Sequence, residues 1–137
     1  MHIRGTDFVM FQVSDLARAC AFYRDLLGLR QDLYSEEYQW AEFDAGNVTL
    51  SLHGNAKPAG AAAGGRIAFA VADIHAAYRE LQAKATAILK PPFDHSCCWH
   101  LELEDPDGNL VILHQRADGT FGQNSNSLGG DRVTKAD

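Results

Sequence analysis

The chain is short of several things that would define a class. It has three cysteines in 137 residues, Cys20, Cys97 and Cys98. The count is odd and two are neighbours, which argues against a disulfide framework. No apolar run approaches the roughly 18 residues that cross a bilayer, so no membrane association is expected. The segment 1–7 carries no apolar leader, and a cytoplasmic location is the expectation. Basic residues are outnumbered, with 12 Lys and Arg against 18 Asp and Glu and a net charge of −6. A nucleic-acid phosphate binder needs a basic face, so no nucleic-acid partner is expected. What is present is apolar content of 46%, enough for a packed core.

The pattern within that content is a repeat. Asp105-Pro106-Asp107-Gly108-Asn109 is a turn-forming cluster that opens the apolar run Leu110-Val111-Ile112-Leu113-His114. Asp44-Ala45-Gly46-Asn47 stands in the same way before Val48-Thr49-Leu50-Ser51-Leu52-His53. Upstream, Phe11-Gln12-Val13-Ser14-Asp15-Leu16 recurs 58 residues later as Phe69-Ala70-Val71-Ala72-Asp73-Ile74. The chain reads as one unit written twice.

Each copy reads β-α-β-β-β. In the first, a strand over 7–13 precedes a helix over about 15–27 capped by Ser14 or Asp15, whose side-chain oxygen accepts from the free amides of the first turn. Leu16, Ala19, Cys20, Tyr23, Leu26 and Leu27 recur at helical spacing as its buried stripe. Cys20 is read as a small core residue. Gly28 stops the helix. Strands follow near 30–35, 38–44 and 48–53. In the second copy a strand at 66–72 and a helix from Asp73 to about Lys84 lead to strands near 86–90, 98–104 and 110–115. Pro91-Pro92 is expected to close the first of these, because proline cannot donate to a ladder. The predicted organisation is a first module over 1–53, a small-residue linker over 54–65 and a second module over 66–116. A flexible C-terminal tail follows over 117–137. The fold class is α+β, with the two modules forming a curved mixed eight-stranded sheet around a concave cleft.

Val13-x-Asp15-Leu16, Phe22-Tyr23-Arg24-Asp25-Leu26-Leu27-Gly28-Leu29 and the Asp105–Asn109 turn together resemble the vicinal oxygen chelate superfamily. That superfamily includes glyoxalase I, extradiol dioxygenases, methylmalonyl-CoA epimerase, and the fosfomycin and bleomycin resistance proteins. The likeness covers about residues 6–116. It implies the duplicated fold and does not alone imply a reaction.

Metal-using members of that superfamily place one ligand on the first and one on the last strand of each unit. Such a metal takes imidazole and carboxylate groups and leaves positions open for two substrate oxygens. The resemblance carries these positions onto Phe8, Ser51, Arg66 and Ile112. Phenylalanine and isoleucine have no donor, serine is a poor one, and arginine is a fixed cation. No metal is therefore expected at the usual place. A displaced divalent-metal site is the alternative, with His53, His100, Glu102 and His114 turned inward by strand alternation. Histidines at strand ends are also consistent with simple solvation.

Without metal, the expected ligand-binding residues are Phe8, Met10 and Ile112 as apolar floor and Tyr38 and Trp40 as rings. Ser51, His53, Arg66, Cys98, His100, Glu102 and His114 supply the polar groups. Alternation leaves Tyr38 and Trp40 open to the reverse reading, as core rings. Arg66 suits a carboxylate or phosphate clamp, or equally an ion pair with Glu102 or Glu104. Cys98 is expected to point inward and Cys97 away, as a reactive thiol or an inert filler. No catalytic residue is assigned. Two functions follow. One is a metal-free protein of the bleomycin-resistance type that binds a small organic molecule. The other is a lyase, isomerase or dioxygenase of the glyoxalase type that uses the inward His and Glu groups. Relatives often share clefts between chains, so a homodimer is expected.

Overall fold

The computed structural model describes His2, residues 7–55, 65–119 and 121–122. The linker expected over 54–65 and the tail expected over 117–137 fall mostly outside the described residues.

The first module begins with β1 (Phe8–Gln12) and α1 (Leu16–Ala21), which continues as a π-helical turn over Phe22–Leu26. Asp15 starts the helix, its carboxylate accepting from the Arg18 amide at 3.0 Å. The expected single helix over 15–27 thus ends in a wider turn, closed by Leu27 N–H donating to the Phe22 carbonyl at 3.1 Å. Gly28 leaves it at φ +75°, a left-handed conformation only glycine adopts freely. Then come β2 (Arg30–Ser35), β3 (Trp40–Asp44) and β4 (Thr49–His53). The order across the sheet is β1-β4-β3-β2, with β1 and β4 parallel and the other pairs antiparallel. β3 starts at Trp40 rather than 38, because residues 36–39 form a turn with Gln39 at φ +50°.

The second module repeats this order with β5 (Arg66–Ala70), α2 (Ile74–Ala83), β6 (Lys90–Asp94), β7 (Cys98–Glu104) and β8 (Leu110–Arg116). Its sheet runs β5-β8-β7-β6. Asp73 caps α2, accepting from the amides of His75 and Ala76 at 3.0 and 3.1 Å. One expected strand is misplaced: β6 spans Lys90–Asp94, not 86–90, and so contains Pro91 and Pro92. It is an edge strand, and its register against β7 shifts between Lys90 and Phe93. Prolines are tolerated there because the ladder is already broken.

All eight expected strands are present, and they hydrogen-bond as two four-stranded mixed sheets. In each, alternation sends one set of side chains against the helix. Phe11, Ala41, Phe43, Leu50 and Leu52 are buried under α1 in the first module. Leu101, Leu103, Val111 and Leu113 are buried with Ile74 and Leu81 of α2 in the second. Cys20 lies in the first core, and burial raises its thiol pKa.

The chain divides into two compact units, and the division does not follow the repeat. The Asp105–Asn109 turn, between β7 and β8 in sequence, belongs with the first module. Its buried Asp105 carboxylate accepts from the Tyr23 hydroxyl at 3.0 Å, from the Asp107 and Asn109 amides at 2.9 and 2.8 Å, and from Asn109 Nδ2 at 2.8 Å. Burial, and then this carboxylate, push the Tyr23 pKa far up. Asp107 accepts from both the amide and the hydroxyl of Ser14.

Candidate functional site

The face of each sheet turned away from its helix carries most of the residues expected to bind a ligand. In the first module the register aligns Phe8 with Thr49, Met10 with Ser51 and Gln12 with His53. On the other side of β4, His53 lies opposite Trp40 and Ser51 opposite Glu42. Phe8, Met10, Trp40, Glu42, Ser51 and His53 therefore share the open face. The Phe8 and Trp40 rings meet edge to face with centroids 5.9 Å apart, and the Trp40 and His53 rings are 5.7 Å apart. Trp40 Nε1 donates to Glu42 Oε1 at 3.0 Å. Phe8 is 51% and Met10 40% exposed, an apolar surface facing outward. At its centre Ser51 is 0% exposed, and its hydroxyl has no hydrogen-bond partner among the described residues. Tyr38 does not join this group: it sits in the turn before β3 and is 71% exposed.

A groove of about 300 Å³ at one end of this module is lined by Asp7, Asp32, Asp44, Gly46, Asn47, Val48 and Thr49. Arg30 bridges two of its carboxylates, Asp32 at 2.8 Å and Asp44 at 3.0 Å. Neither the groove nor this bridge is evident from the sequence spacing.

In the second module the register aligns Arg66 with Leu110, Ala68 with Ile112 and Ala70 with His114. Across β8, His114 lies opposite His100, and Ile112 opposite Glu102. Arg66, Ile112, His114, His100 and Glu102 share the open face, while Trp99 turns to the helix side, where its ring meets His75 at 4.7 Å. Arg66 is exposed and has no ion pair among the described residues, so neither expected carboxylate partner holds it.

His100 Nε2 is 3.7 Å from Glu102 Oε1. It is also 3.4 Å from Nε2 of His95, whose ring stacks on it at 4.3 Å and 21°. Phe93 packs on His95 at 4.6 Å. Burial, and then the neighbouring His95, lower the His100 pKa against the opposing pull of Glu102. Burial lowers that of His114 too, followed by Arg116, His100 and His95. The imidazoles of this face are thereby held toward the neutral form. The sequence does not show His95, because Pro91-Pro92 suggests a strand ending at 90, whereas the strand runs over Lys90–Asp94. A strand over 90–94 would have put His95 in the hairpin turn beside His100.

The pair of thiols also differs from expectation. Cys97 does not point away from Cys98: the two Sγ atoms are 3.6 Å apart. Cys97 precedes β7, in a bend entered through Ser96 at φ +70°, so strand alternation does not govern it. Burial raises the Cys98 pKa, and the adjacent Cys97 thiol adds to this.

The residues that the resemblance carries onto the metal-ligand positions, Phe8, Ser51, Arg66 and Ile112, do not have the donor chemistry of a divalent-metal site. Strand pairing puts Phe8 and Ser51 on one open face and Arg66 and Ile112 on the other. That is a hydrocarbon ring, a hydroxyl, a fixed cation and a branched alkyl group. Of the displaced set, His100, Glu102 and His114 share the second module's open face, and His53 lies on the first module's. Among the described residues, no cluster of three or more His, Cys, Asp or Glu side chains is arranged to hold a metal ion.

Two helix-backed βαβββ modules with open, functionalised sheet faces define the class of fold. A family model described as Glyoxalase/Bleomycin resistance protein/Dioxygenase superfamily matches residues 5–113, and the chain belongs to that superfamily, the vicinal oxygen chelate superfamily. Solved structures share the fold at low identity. A lactoylglutathione lyase from Agrobacterium tumefaciens is 22% identical with a TM-score of 0.69, over 82% of this chain and 94% of that one. A glyoxalase/bleomycin resistance protein/dioxygenase from Nocardioides is 18% identical with a TM-score of 0.69, over 90% and 91%. An integron cassette protein from the mobile metagenome of V. cholerae is 20% identical with a TM-score of 0.66, over 84% and 97%. No curated protein matches the sequence significantly. No helix among the described residues is long and apolar enough to cross a membrane.

Proposed function

We propose that this chain binds a small organic molecule at an open sheet face without the metal that many members of the superfamily use. The observation that carries this reading is the identity of the four side chains, Phe8, Ser51, Arg66 and Ile112, on faces opposite the helices. They put apolar surface, one hydroxyl and one fixed cation where a metal's donors would stand. Phe8, Met10 and Trp40 offer a platform for an aromatic or alkyl group. Arg66 offers a two-pronged donor for a carboxylate or phosphate. Each face by itself combines apolar surface with a few polar groups, as a small-molecule site needs. By analogy with the fold's habit of pairing, two copies associate, and sedimentation at micromolar concentration tests this.

Metal analysis of untagged protein tests the main reading. Stoichiometric iron, nickel or manganese overturns it, as does zinc that survives replacement of both Cys97 and Cys98 by serine. Melting shifts across aromatic and anionic compounds then find the ligand class, since binding to the native state alone raises stability. Arg66→Ala is expected to abolish shifts caused by anionic compounds, and an unchanged shift removes its clamp role.

A second reading, an acid–base lyase, isomerase or dioxygenase, is favoured by the half-buried His100 and Glu102 at 3.7 Å with His95 against them. A neutral imidazole beside a carboxylate is a competent proton acceptor near neutral pH. Turnover of the compounds that shift melting separates the two readings: a protein that only binds returns them unchanged, and one that reacts loses turnover in His100→Gln.

A further inference from the structure

Cys97 and Cys98 are neighbours in the chain, and neither proposed use of the open faces needs them as a pair. Adjacent residues in a strand point to opposite sides, so neighbouring cysteines are normally kept apart. Here the chain is turned so that they are not. Ser96 takes φ +70°, a conformation that costs a non-glycine residue energy. Its amide is held by Asp94 Oδ1 at 2.8 Å. The His95 amide donates to the Cys98 carbonyl at 2.9 Å and closes the hairpin. The Ala117 amide donates to the Cys97 carbonyl at 3.0 Å. The backbone on both sides of the pair is thus tied down, with both thiols free and Cys97 only half-buried.

We propose that Cys97 and Cys98 form a two-sulfur chelate for a thiophilic divalent cation of the zinc and cadmium class. Metal–sulfur bonds of about 2.3 Å to two sulfurs separated as these are would subtend an angle near 100°, close to tetrahedral. The pair is therefore spaced for one shared ion of bent coordination without moving the backbone. A linear two-sulfur ion would need the sulfurs about 4.6 Å apart by the same bond length. Binding displaces both thiol protons to solvent, so charge balances with two thiolates on one dication, and affinity rises with pH. Hard cations such as magnesium and calcium prefer oxygen and are not expected to compete. The remaining coordination positions are open to water or to a small-molecule thiol. This site is separate from the family's usual ligand positions and stands whether or not the open faces bind an organic ligand.

The test is titration of the reduced, untagged full chain with cadmium, read by the ultraviolet sulfur-to-metal charge-transfer band. One equivalent with a two-thiolate intensity is expected. Cys97→Ser is the cleaner variant because Cys97 is half-buried and its loss leaves the core intact. It is expected to weaken binding at least about a hundredfold, since losing a group that merely orients a ligand already costs roughly 10- to 100-fold. Cys98→Ser should do the same, and circular dichroism checks that it still folds. Cys20→Ser should change nothing. Absence of the band, or one-equivalent binding that persists in Cys97→Ser, overturns the proposal. Binding that persists in Cys97→Ser but is lost in His100→Gln also overturns it, and assigns the ion to the imidazoles instead.

Discussion

The two modules share their helix-facing halves and differ on their open faces. Val13 and Val71 donate to the carbonyls of His53 and His114 at the same 2.9 Å. Asp15 and Asp73 cap the two helices from the same position. Leu50 and Leu52 under α1 answer Val111 and Leu113 under α2. By register, two open-face pairs are also kept, His53 with His114 and Glu42 with Glu102. The rest diverge. Phe8 in one module stands where Arg66 stands in the other, Trp40 where His100 stands, and Ser51 where Ile112 stands. The halves that hold the helices changed conservatively because close packing punishes changes of volume. The open faces have no such constraint, and there one module is aromatic and apolar while the other is imidazole-rich, with Arg66 and Glu102 on the same face.

The sharpest difference between the copies lies in their turns, and this gives the largest expected effect. Asp105 is buried and satisfies four donors, whereas Asp44, the carboxylate that opens the first module's turn, is more exposed and accepts from the Gly46 amide at 2.7 Å and from Arg30. Asp105→Ala is expected to cost about 3 kcal/mol or more, by stranding buried donors. Asp44→Ala should cost under about 1 kcal/mol. Urea unfolding of both variants measures the gap, and equal losses would mean that the two turns do the same job.

Next in size are the caps, where the copies should behave alike. Asp15→Ala is expected to lose about 1 kcal/mol, and Asp73→Ala to fall in the same direction by a similar shift in denaturation midpoint. A large inequality would show that one helix leans on its cap more than the other. Smaller again is Ser51→Ala. Removing a buried hydroxyl with no protein partner should be neutral or gain up to about 1 kcal/mol. A clear loss by calorimetry would show that the hydroxyl is satisfied and would weaken its role on the open face.

The smallest effect is in the pH profile of the second module. His100 and His114 have lowered pKa values when folded, so the unfolded chain takes up protons first as pH falls. Their contribution is complete above the ordinary imidazole value near 6.5 and declines below it. Replacing His114 by Gln should flatten the acid limb of stability measured between about pH 7 and 5.

Most of this comparison was legible in the sequence because strand alternation and helix caps are local signals. Asp15 and Asp73 announce the helices, and the alternation in Thr49–His53 and Leu110–Arg116 sorts side chains to their faces. What escaped depended on chain geometry outside regular strands. Pro91-Pro92 reads as a terminator unless its strand is known to be an edge with a broken register. Tyr38 reads as strand unless Gln39 is known to turn left-handed. Cys97 reads as opposed to Cys98 unless the bend at Ser96 is known. His95 depended on the same hairpin. The π-helical turn left no mark that an ordinary amphipathic stripe would not leave.

The Asp105–Asn109 turn has a consequence for how the protein is made. The first module's residues leave the ribosome early, yet the carboxylates that receive Tyr23 and Ser14 come about fifty residues after that module's last strand. Until then its helix has a buried hydroxyl awaiting its acceptor. These two contacts of the early half can therefore form only when most of the chain has emerged. A fragment ending at residue 55 would lack them however long it was given to fold.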